Sequence, residues 1–346
     1  MEKVSSDQVH AQPLPLVKRA WRDRLAQYPA GSSIRLMGPR GVGKRTLVSR
    51  LPHLRIQISS QRLKDATLAC ESRVDAPDKT VHLHPLLVTE IGIQSAEQFE
   101  QFLSRGGFPE MPPNQVAGYA VATLPAHLRA TLSDTESTLG TPMARDDWFL
   151  ALHQEVGHPL SIRALAQRLS ASDYRLKQWL SALEHHFGLF TLAPLKSTIH
   201  GQSFRALKKN TKIYPYTWHL APRRHLRMEA LVANHLLAWV QMQTDWEERS
   251  CKLHYFRDCD QREVDFVVIQ DNVPVLLVQC DAHSHQHNSH LAYLHRKFPS
   301  AVAWHLSLDG PMTPICRRGI YTAHPLPFLR SLDSHSQHAL MEADRM

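Results

Sequence analysis

The feature that most constrains this chain is a glycine-rich loop at residues 38–46, Gly-Pro-Arg-Gly-Val-Gly-Lys-Arg-Thr. It fits the pattern G-x-x-x-x-G-K, in which glycines let backbone N–H groups converge on an anion and the lysine reaches the terminal phosphates. Residues 34–37 before the loop predict a strand, and residues 46–51 after it predict a helix whose N-terminal end faces the phosphates. A Gly-rich surface turn is the alternative interpretation.

As a phosphate-binding loop (P-loop), this stretch predicts ATP or ADP as the ligand. The residues assigned to nucleotide binding are Gly38, Arg40, Gly41, Val42, Gly43, Lys44, Arg45 and Thr46. The residue after the lysine is normally Ser or Thr, whose hydroxyl ligates Mg²⁺. Arg45 stands there instead. A guanidinium repels a cation but can donate two hydrogen bonds to phosphate. We therefore expect Mg²⁺ to contribute weakly or not at all.

Length, charge and cysteine content indicate the class of protein and its cellular compartment. A chain of 346 residues has room for two or three domains, and its formal net charge of +8 favours contact with polyanions. Its five cysteines are scattered without a C-x-x-C pair, which is typical of free thiols in a reducing cytoplasm. Residues 1–13 have no apolar signal region, and the longest apolar run, residues 273–278, is too short to span a bilayer. We therefore expect a cytoplasmic protein without membrane contact.

A cluster of Gly and Pro residues at 106–113 suggests the first domain boundary, because these residues interrupt helices and strands. Before it, the pattern predicts helices at residues 16–28, 61–71 and 95–103 and a second strand at residues 55–58. The predicted domains are a truncated P-loop domain over residues 1–113, a helical middle domain over 114–225, and an α/β domain over 226–335. Residues 336–346 form a polar tail.

The middle domain has the order of a winged helix-turn-helix. Residues 117–139 are mostly helical. Helices at residues 147–156, 161–169 and 172–186, with Ser161 and Ser172 as N-caps, precede a short apolar strand within residues 188–195. The residues assigned to nucleic-acid binding are Arg175 and Lys177 on the third helix and Lys208, Lys209 and Lys212 in a basic run. The alternative is a structural helical domain with a solvated charged face.

The C-terminal part predicts a small sheet flanked by helices. Helices are expected at residues 229–241 and 288–298, and strands at 253–257, 263–269, 273–280 and 302–308. Residues 325–332 close the fold. The fold class is therefore α/β.

Several motifs in fixed order resemble one family over nearly the whole chain. They are residues 38–47, 106–110, the winged-helix segment, 212–214, 228–232, 263–266 and 326–329. The chain resembles bacterial and archaeal AAA-type ATPases whose C-terminal half is a domain of unknown function with a restriction-endonuclease-like core. The resemblance implies an acidic Walker B strand, a sensor strand and an arginine finger. However, only 61 residues separate Lys44 from Gly106, and two βαβ units are the most that fit. The run 86–90 carries Thr89 where the metal-binding Asp would stand, so we interpret it as the lead-in to Gly106.

The same resemblance implies a nuclease-like site in which carboxylates hold Mg²⁺ and the lysine of E-x-K activates water. Vestigial candidates here are Glu229, Asp265, Gln279 and Asp281. Gln279 replaces the glutamate and Asp281 inverts the charge of the lysine. Alternation puts these two on one face, so Asp265 and Asp281 could share a metal. Without the lysine, nuclease activity is expected to be absent.

A histidine-rich tract at residues 283–290 has imidazoles at alternate positions that could bind Zn²⁺ or Ni²⁺. The alternative, a polar loop, is preferred, and no metal site is assigned. The resulting hypothesis is a degenerate nucleotide-binding family member that regulates or binds a nucleic acid or a protein partner. The alternatives are an active ATPase completed by another subunit and a divergent metal-dependent nuclease.

Overall fold

The computed structural model describes residues 20–62, 77–109, 126–139, 145–205, 210–284 and 288–332. This part of the chain is mixed α/β with ten α-helices. The helices are α1 Ala20–Leu25, α2 Lys44–Val48, α3 Ala96–Arg105, α4 Ala126–Leu139, α5 Arg145–Gln154, α6 Ile162–Arg168, α7 Asp173–His185, α8 Arg224–Glu247, α9 Ser289–Lys297 and α10 Pro325–Ser331. A 3₁₀ turn spans Trp218–Leu220.

Thirteen strands are described. They are β1 Ser33–Met37, β2 Arg55–Ser59, β3 Lys79–His82, β4 Leu189–Leu192, β5 Thr198–Ile199, β6 Gln202–Ser203, β7 Lys212–Pro215, β8 Cys251–Arg257, β9 Glu263–Gln270, β10 Val273–Cys280, β11 Val302–Leu306, β12 Ile315–Arg317 and β13 Ile320–Ala323.

The N-terminal sheet is parallel, with β1 between β2 and β3. Apolar side chains of β1 are fully buried, and the glycine loop (residues 38–46) leaves its carboxyl end. Asp245 of α8 accepts a hydrogen bond from the backbone N of His82 at 2.8 Å, which fastens β3 to the C-terminal part. One apolar cluster contains both Leu36 of β1 and Phe266 of β9, so the two sheets share a core around α8.

Helices α4 to α7 form a helical unit with its own core, in which Trp148 and Trp179 lie 4.6 Å apart between ring centroids. Both predicted N-caps are present. Ser161 Oγ accepts from the backbone N of Ala164, and Ser172 Oγ accepts from the backbone N of Arg175. Beyond α7, β4 pairs antiparallel with β7, and β5 and β6 form a hairpin.

The C-terminal sheet has the order β12-β13-β11-β10-β9-β8. Strands β8, β9 and β10 are antiparallel, whereas β10, β11 and β13 run parallel. Helix α8 packs on one face with Val278, and helix α9 packs on the other with Leu277. Alternating side chains of one strand therefore enter two different cores.

A bulge in β9 interrupts this alternation. His254 pairs with Val267 and Phe256 pairs with Val264, so β9 carries one residue more than β8 over the same interval. Val264 and Val267 both join the α9 core, whereas Phe266 joins the α8 core. Asp265 also lies on the α8 side, where it contacts Lys212 of β7.

Most predicted elements are found, with shifted ends. The helix expected at residues 16–28 is described only over Ala20–Leu25, and the one expected from residue 117 begins its described part at Ala126. The helix predicted at residues 61–71 falls almost entirely outside the described residues. Strands β3, β5, β6, β12 and β13 were not predicted, because each is at most four residues long.

The described part of the predicted boundary segment, residues 106–109, is packed rather than exposed. Gly106, Gly107 and Phe108 are buried, and a Cβ on Gly107 would lie 2.3 Å from the Trp218 ring. These glycines therefore allow close contact with the 3₁₀ turn. The domain division itself stays a prediction. No helix in the described part of the chain is long and apolar enough to cross a membrane.

Candidate functional site

The glycine loop has a backbone that glycine favours. Gly38, Gly41 and Gly43 have φ of 147°, 78° and 89°, values that other residues rarely adopt. A Cβ on Gly38 would lie 2.1 Å from the backbone O of Leu83, so the loop passes close to the chain that follows β3. Val42 is fully buried and anchors the loop in the core. The loop is therefore a defined structure held from both ends.

Lys44 is enclosed by this loop. Its Nζ donates to the carbonyl oxygens of Gly38 and Pro39, both at 2.6 Å, and the residue is 6% exposed. Burial, with a smaller contribution from the charge of Arg40, lowers the pKa of Lys44 to about 7. An anion on the loop would favour the charged ammonium and raise this pKa.

Arg40 at the outer side of the loop is paired with the helical unit. Its Nε donates to Asp134 Oδ2 at 2.7 Å, and its Nη2 lies 2.5 Å from the same oxygen. Asp134 belongs to α4. Arg45 and Thr46 are exposed on the first turn of α2. The loop thus presents the cationic side chains of Arg40 and Arg45. Of these, Arg40 contacts a carboxylate from another part of the fold.

Neither strand beside β1 contains an acidic residue: β2 reads Arg-Ile-Gln-Ile-Ser and β3 reads Lys-Thr-Val-His. The run at residues 86–90 forms turns rather than a strand. Within it, Glu90 Oε2 accepts a hydrogen bond from the backbone N of Leu87. The two described strands beside β1 therefore supply no carboxylate for a metal.

A second polar site, the lysine cluster, lies between β7, α8 and β9. It consists of Lys212, Tyr214, Glu229, Glu263 and Asp265. Lys212 Nζ lies 2.7 Å from Glu263 Oε1, 2.9 Å from Asp265 Oδ1 and 3.7 Å from Glu229 Oε1. Tyr214 donates its hydroxyl proton to Glu229 Oε1 at 2.7 Å. The structure therefore brings together two of the four proposed nuclease residues, Glu229 and Asp265. Their carboxyl groups surround the ammonium group of Lys212.

The same geometry corrects the assignment of Lys212 to nucleic-acid binding. Lys212 is 0% exposed, and its ion pairs leave it unable to reach a phosphate. Sequence reasoning treated it as part of a basic run. Its position just before Tyr214, Tyr216 and Trp218 was the available signal for burial. Lys208 and Lys209 lie outside the described residues.

Burial and crowding of charge shift the pKa values in the lysine cluster. Burial raises the pKa of Glu229 to about 8, and the charge of Asp265 acts in the same direction against the opposing Lys212. Burial also raises the pKa of Asp265, with Lys212 opposing it. Burial lowers the pKa of Lys212, but Asp265, Glu229 and Glu263 together raise it above its ordinary value. Near neutral pH the ammonium is charged and Glu229, its most distant carboxylate, holds a proton.

The remaining nuclease candidates face the other side of the sheet. Gln279 is opposite His305 in the parallel pairing of β10 and β11. Asp281 accepts from Asn288 Nδ2 at 3.0 Å and lies 2.9 Å from His305 Nε2. The expectation that Asp265 and Asp281 share a metal is therefore wrong, because the bulge places Asp265 on the α8 face.

The β10 residue beside Asp265 is instead Cys280, whose backbone N donates to Asp265 Oδ2 at 2.9 Å. Burial, with the charges of Asp265 and Glu229, raises the pKa of the Cys280 thiol well above its usual range. This shift disfavours the thiolate form that a nucleophile or a metal ligand needs.

In the described part of the chain, no group of three or more His, Cys, Asp or Glu residues could hold a metal ion. Of the histidine-rich tract, His283 Nδ1 lies 3.3 Å from Asp309 Oδ2, and Ser284 N donates to Asp309 Oδ1 at 2.7 Å. Residues 285–287 lie outside the described residues.

Helix α7 has the packed and exposed faces that its sequence predicts. Leu176, Trp179 and Leu183 are buried, whereas Arg175 and Lys177 are exposed. The Arg175 guanidinium lies 5.2 Å from the centroid of the Trp179 ring. The sequence interpretation missed Tyr174, which is 71% exposed and accepts a hydrogen bond from Gln178 at 2.9 Å. The sequence signal for Tyr174 was an aromatic residue at a helical position that faces away from the packed side.

Comparison with known proteins gives one match. A family model described as "Domain of unknown function (DUF4143)" matches residues 227–307, which extend from the start of α8 to the end of β11. No curated protein matches the chain. No solved structure matches it.

Proposed function

We propose that this protein is a nucleotide-binding regulatory member of the AAA-type ATPase family, with a P-loop that binds ADP or ATP without hydrolysis. The observation that carries the proposal is Lys44, enclosed at 2.6 Å by a loop of positive-φ glycines that follows the central strand of a parallel sheet. Peptide N–H groups in such a loop bind phosphate. The family match to residues 227–307 supports the proposal, since these domains are often C-terminal in AAA-like ATPases.

Binding without turnover follows from two features around the loop. Hydrolysis needs Mg²⁺ to bridge the phosphates and neutralise charge as the γ-phosphoryl leaves. Arg45 stands where the hydroxyl ligand would be, and β2 and β3 contain no carboxylate. Arg45 is exposed on the first turn of α2, where it can contact phosphate directly.

A nucleic-acid duplex is the proposed partner of the helical unit. The order α5, α6, α7 and then paired β4 and β7 fits a winged helix-turn-helix. The outward side of α7 carries Tyr174, Arg175 and Lys177, a combination suited to phosphate contacts. The formal charge of +8 also favours such a partner.

We propose a structural role for the C-terminal unit. Its order of helix, three antiparallel strands, helix and parallel strand fits the restriction-endonuclease-like core implied by the resemblance. Lys212 neutralises the carboxylates that would hold a metal, and Gln279 and Asp281 face away from them. Incubation with supercoiled plasmid and Mg²⁺ or Mn²⁺ should give no cleavage. Cleavage lost in Asp265→Ala would contradict this role.

Calorimetric titration with ADP, with and without Mg²⁺, tests the nucleotide proposal. The unmodified protein should bind ADP with little change on adding Mg²⁺, and Lys44→Ala should abolish binding. Arg45→Thr should make binding depend on Mg²⁺, whereas the matched Arg55→Thr on exposed β2 should behave as the unmodified protein. Mg²⁺-dependent phosphate release from ATP that disappears in Lys44→Ala would contradict the proposal.

A further inference from the structure

Asp134 of α4 lies against the glycine loop although it belongs to the helical unit. Both of its contacts with Arg40, at 2.7 and 2.5 Å, use the same carboxylate oxygen. In sequence the two residues are 94 positions apart. Within the loop that we propose to bind phosphate, the Arg40 guanidinium is therefore engaged by a protein carboxylate.

The pair is accessible to a competing anion. The Arg40 side chain is 43% exposed and the Asp134 side chain is 31% exposed. A phosphate offers two anionic oxygens that a guanidinium can bind, as it binds those of a carboxylate. The negative charge of Asp134 also disfavours a phosphate placed beside it. Asp134 thus acts against an anion on the loop in two ways, by occupying Arg40 and by repulsion.

Asp134 is held in place by the core of the helical unit. On the same helix, Leu128 and Leu132 are buried against residues that include Leu183 of α7. Helix α7 in turn carries the exposed Arg175 and Lys177. A change in the contact between Arg40 and Asp134 would therefore act on the same packed group of helices that presents the cationic face.

We propose that Asp134 sets the affinity of the loop for nucleotide by competing with its phosphates for Arg40, so that bound nucleotide releases α4 from the loop. The inference rests on the proposed nucleotide binding and adds a regulatory contact to it. A ligand that holds the helical unit away from the loop, for example a bound duplex, would raise nucleotide affinity. By linkage, nucleotide would raise the affinity for that ligand by the same factor.

The test compares Asp134→Asn, which keeps the shape of the side chain and removes its charge, with Glu136→Gln on the same helix. In calorimetric titration with ADP, Asp134→Asn should bind about tenfold more tightly than the unmodified protein, within the usual range of such couplings. Glu136→Gln should bind as the unmodified protein does. In an Arg40→Ala background, removal of the Asp134 charge should bring a much smaller gain. Circular dichroism melting establishes that each variant is folded.

Hydrogen exchange gives a second measurement. ADP should increase amide exchange in residues 126–139 of the unmodified protein and leave it unchanged in Arg40→Ala. Equal or weaker ADP binding by Asp134→Asn, with binding still abolished by Lys44→Ala, would overturn this inference and leave the nucleotide proposal intact. If neither the unmodified protein nor Asp134→Asn binds ADP, both proposals fail.

Discussion

Lys212 of β7 and Asp265 of β9 form a buried ion pair, with Nζ 2.9 Å from Oδ1. The lysine is fully buried and the aspartate side chain is 8% exposed. Asp265 reaches this position because the bulge in β9 turns it toward α8. The pair joins β7 to the C-terminal sheet, so it ties together parts of the chain that are 53 residues apart.

Replacing Lys212 by Met should lower the free energy of unfolding by about 3–5 kcal/mol, because it leaves buried carboxylates without their cation. Guanidinium unfolding at pH 7 measures the change. Lys252→Met, at an exposed position of β8, should stay within about 0.5 kcal/mol. A loss below about 1 kcal/mol in Lys212→Met would mean that the carboxylates become neutral at little cost, contrary to this expectation.

Glu229 should make stability decrease as pH rises. Burial raises its pKa from 4.5 to about 8, so between these values the folded protein holds a proton that the unfolded chain has released. Unfolding is then favoured by rising pH, by about 1.4 kcal/mol per pH unit. Denaturant unfolding at pH 5, 6, 7 and 8 measures the slope. Glu229→Gln should reduce it, whereas an unchanged slope would show that another group holds the proton.

His235 should have the opposite effect at lower pH. Its Nδ1 donates to the backbone O of Leu231 at 2.9 Å and its Nε2 accepts from the backbone N of Val88 at 3.1 Å, so only the neutral ring fits. Burial lowers its pKa to about 4. Its contribution is complete above pH 6.5 and is lost as pH falls toward 4, by up to about 3 kcal/mol.

The His235 prediction can be followed by NMR and by unfolding. The ring proton signals of His235 should not titrate between pH 5 and 8, and His235→Gln should reduce the loss of stability between pH 6.5 and 5. His290→Gln, at an exposed position, serves as the matched control. Titration of the His235 signals near pH 6.5 would contradict the buried neutral ring.

Nucleotide binding should take up a proton above pH 7. The pKa of Lys44 is about 7 because of burial, and bound phosphate favours the charged form. The affinity for ADP should therefore fall by up to about tenfold per pH unit between pH 7 and 9. Calorimetry in two buffers of different ionisation enthalpy reports the proton uptake directly. Equal observed enthalpies in both buffers at pH 8.5 would count against this role of Lys44.

Duplex DNA binding should be weak, tolerant of sequence and steeply dependent on salt, since phosphate contacts dominate it. Replacing Arg175 and Lys177 together by Gln should weaken binding to all sequences alike. The double variant Arg296→Gln and Lys297→Gln removes the same charge from exposed positions of α9 and should have a much smaller effect. Absence of a gel shift for the unmodified protein at about 50 mM salt would leave the helical unit without this partner.

Local features of the fold were predictable because nearby residues determine them. The glycine loop between a strand and a helix, the N-caps Ser161 and Ser172, and the strands β8 to β11 all follow from spacing, capping chemistry and alternation within short segments. The packed face of α7 also followed from its period. Strand β12 is three residues long and exposed, so it gave no comparable pattern.

By itself, the sequence determined the glycine-loop pattern with Arg45 after its lysine, the helices and strands that have a clear period, and the alternation that puts Gln279 and Asp281 on one face. Only the tertiary structure decided which charged groups meet. One extra residue in β9 moves Asp265 to the other face of the sheet, because side chains alternate with a period of two. Lys212 becomes buried, and Arg40 meets Asp134, because folding joins segments far apart in the chain. The periodic pattern of residue types within a short segment does not encode contacts between distant segments.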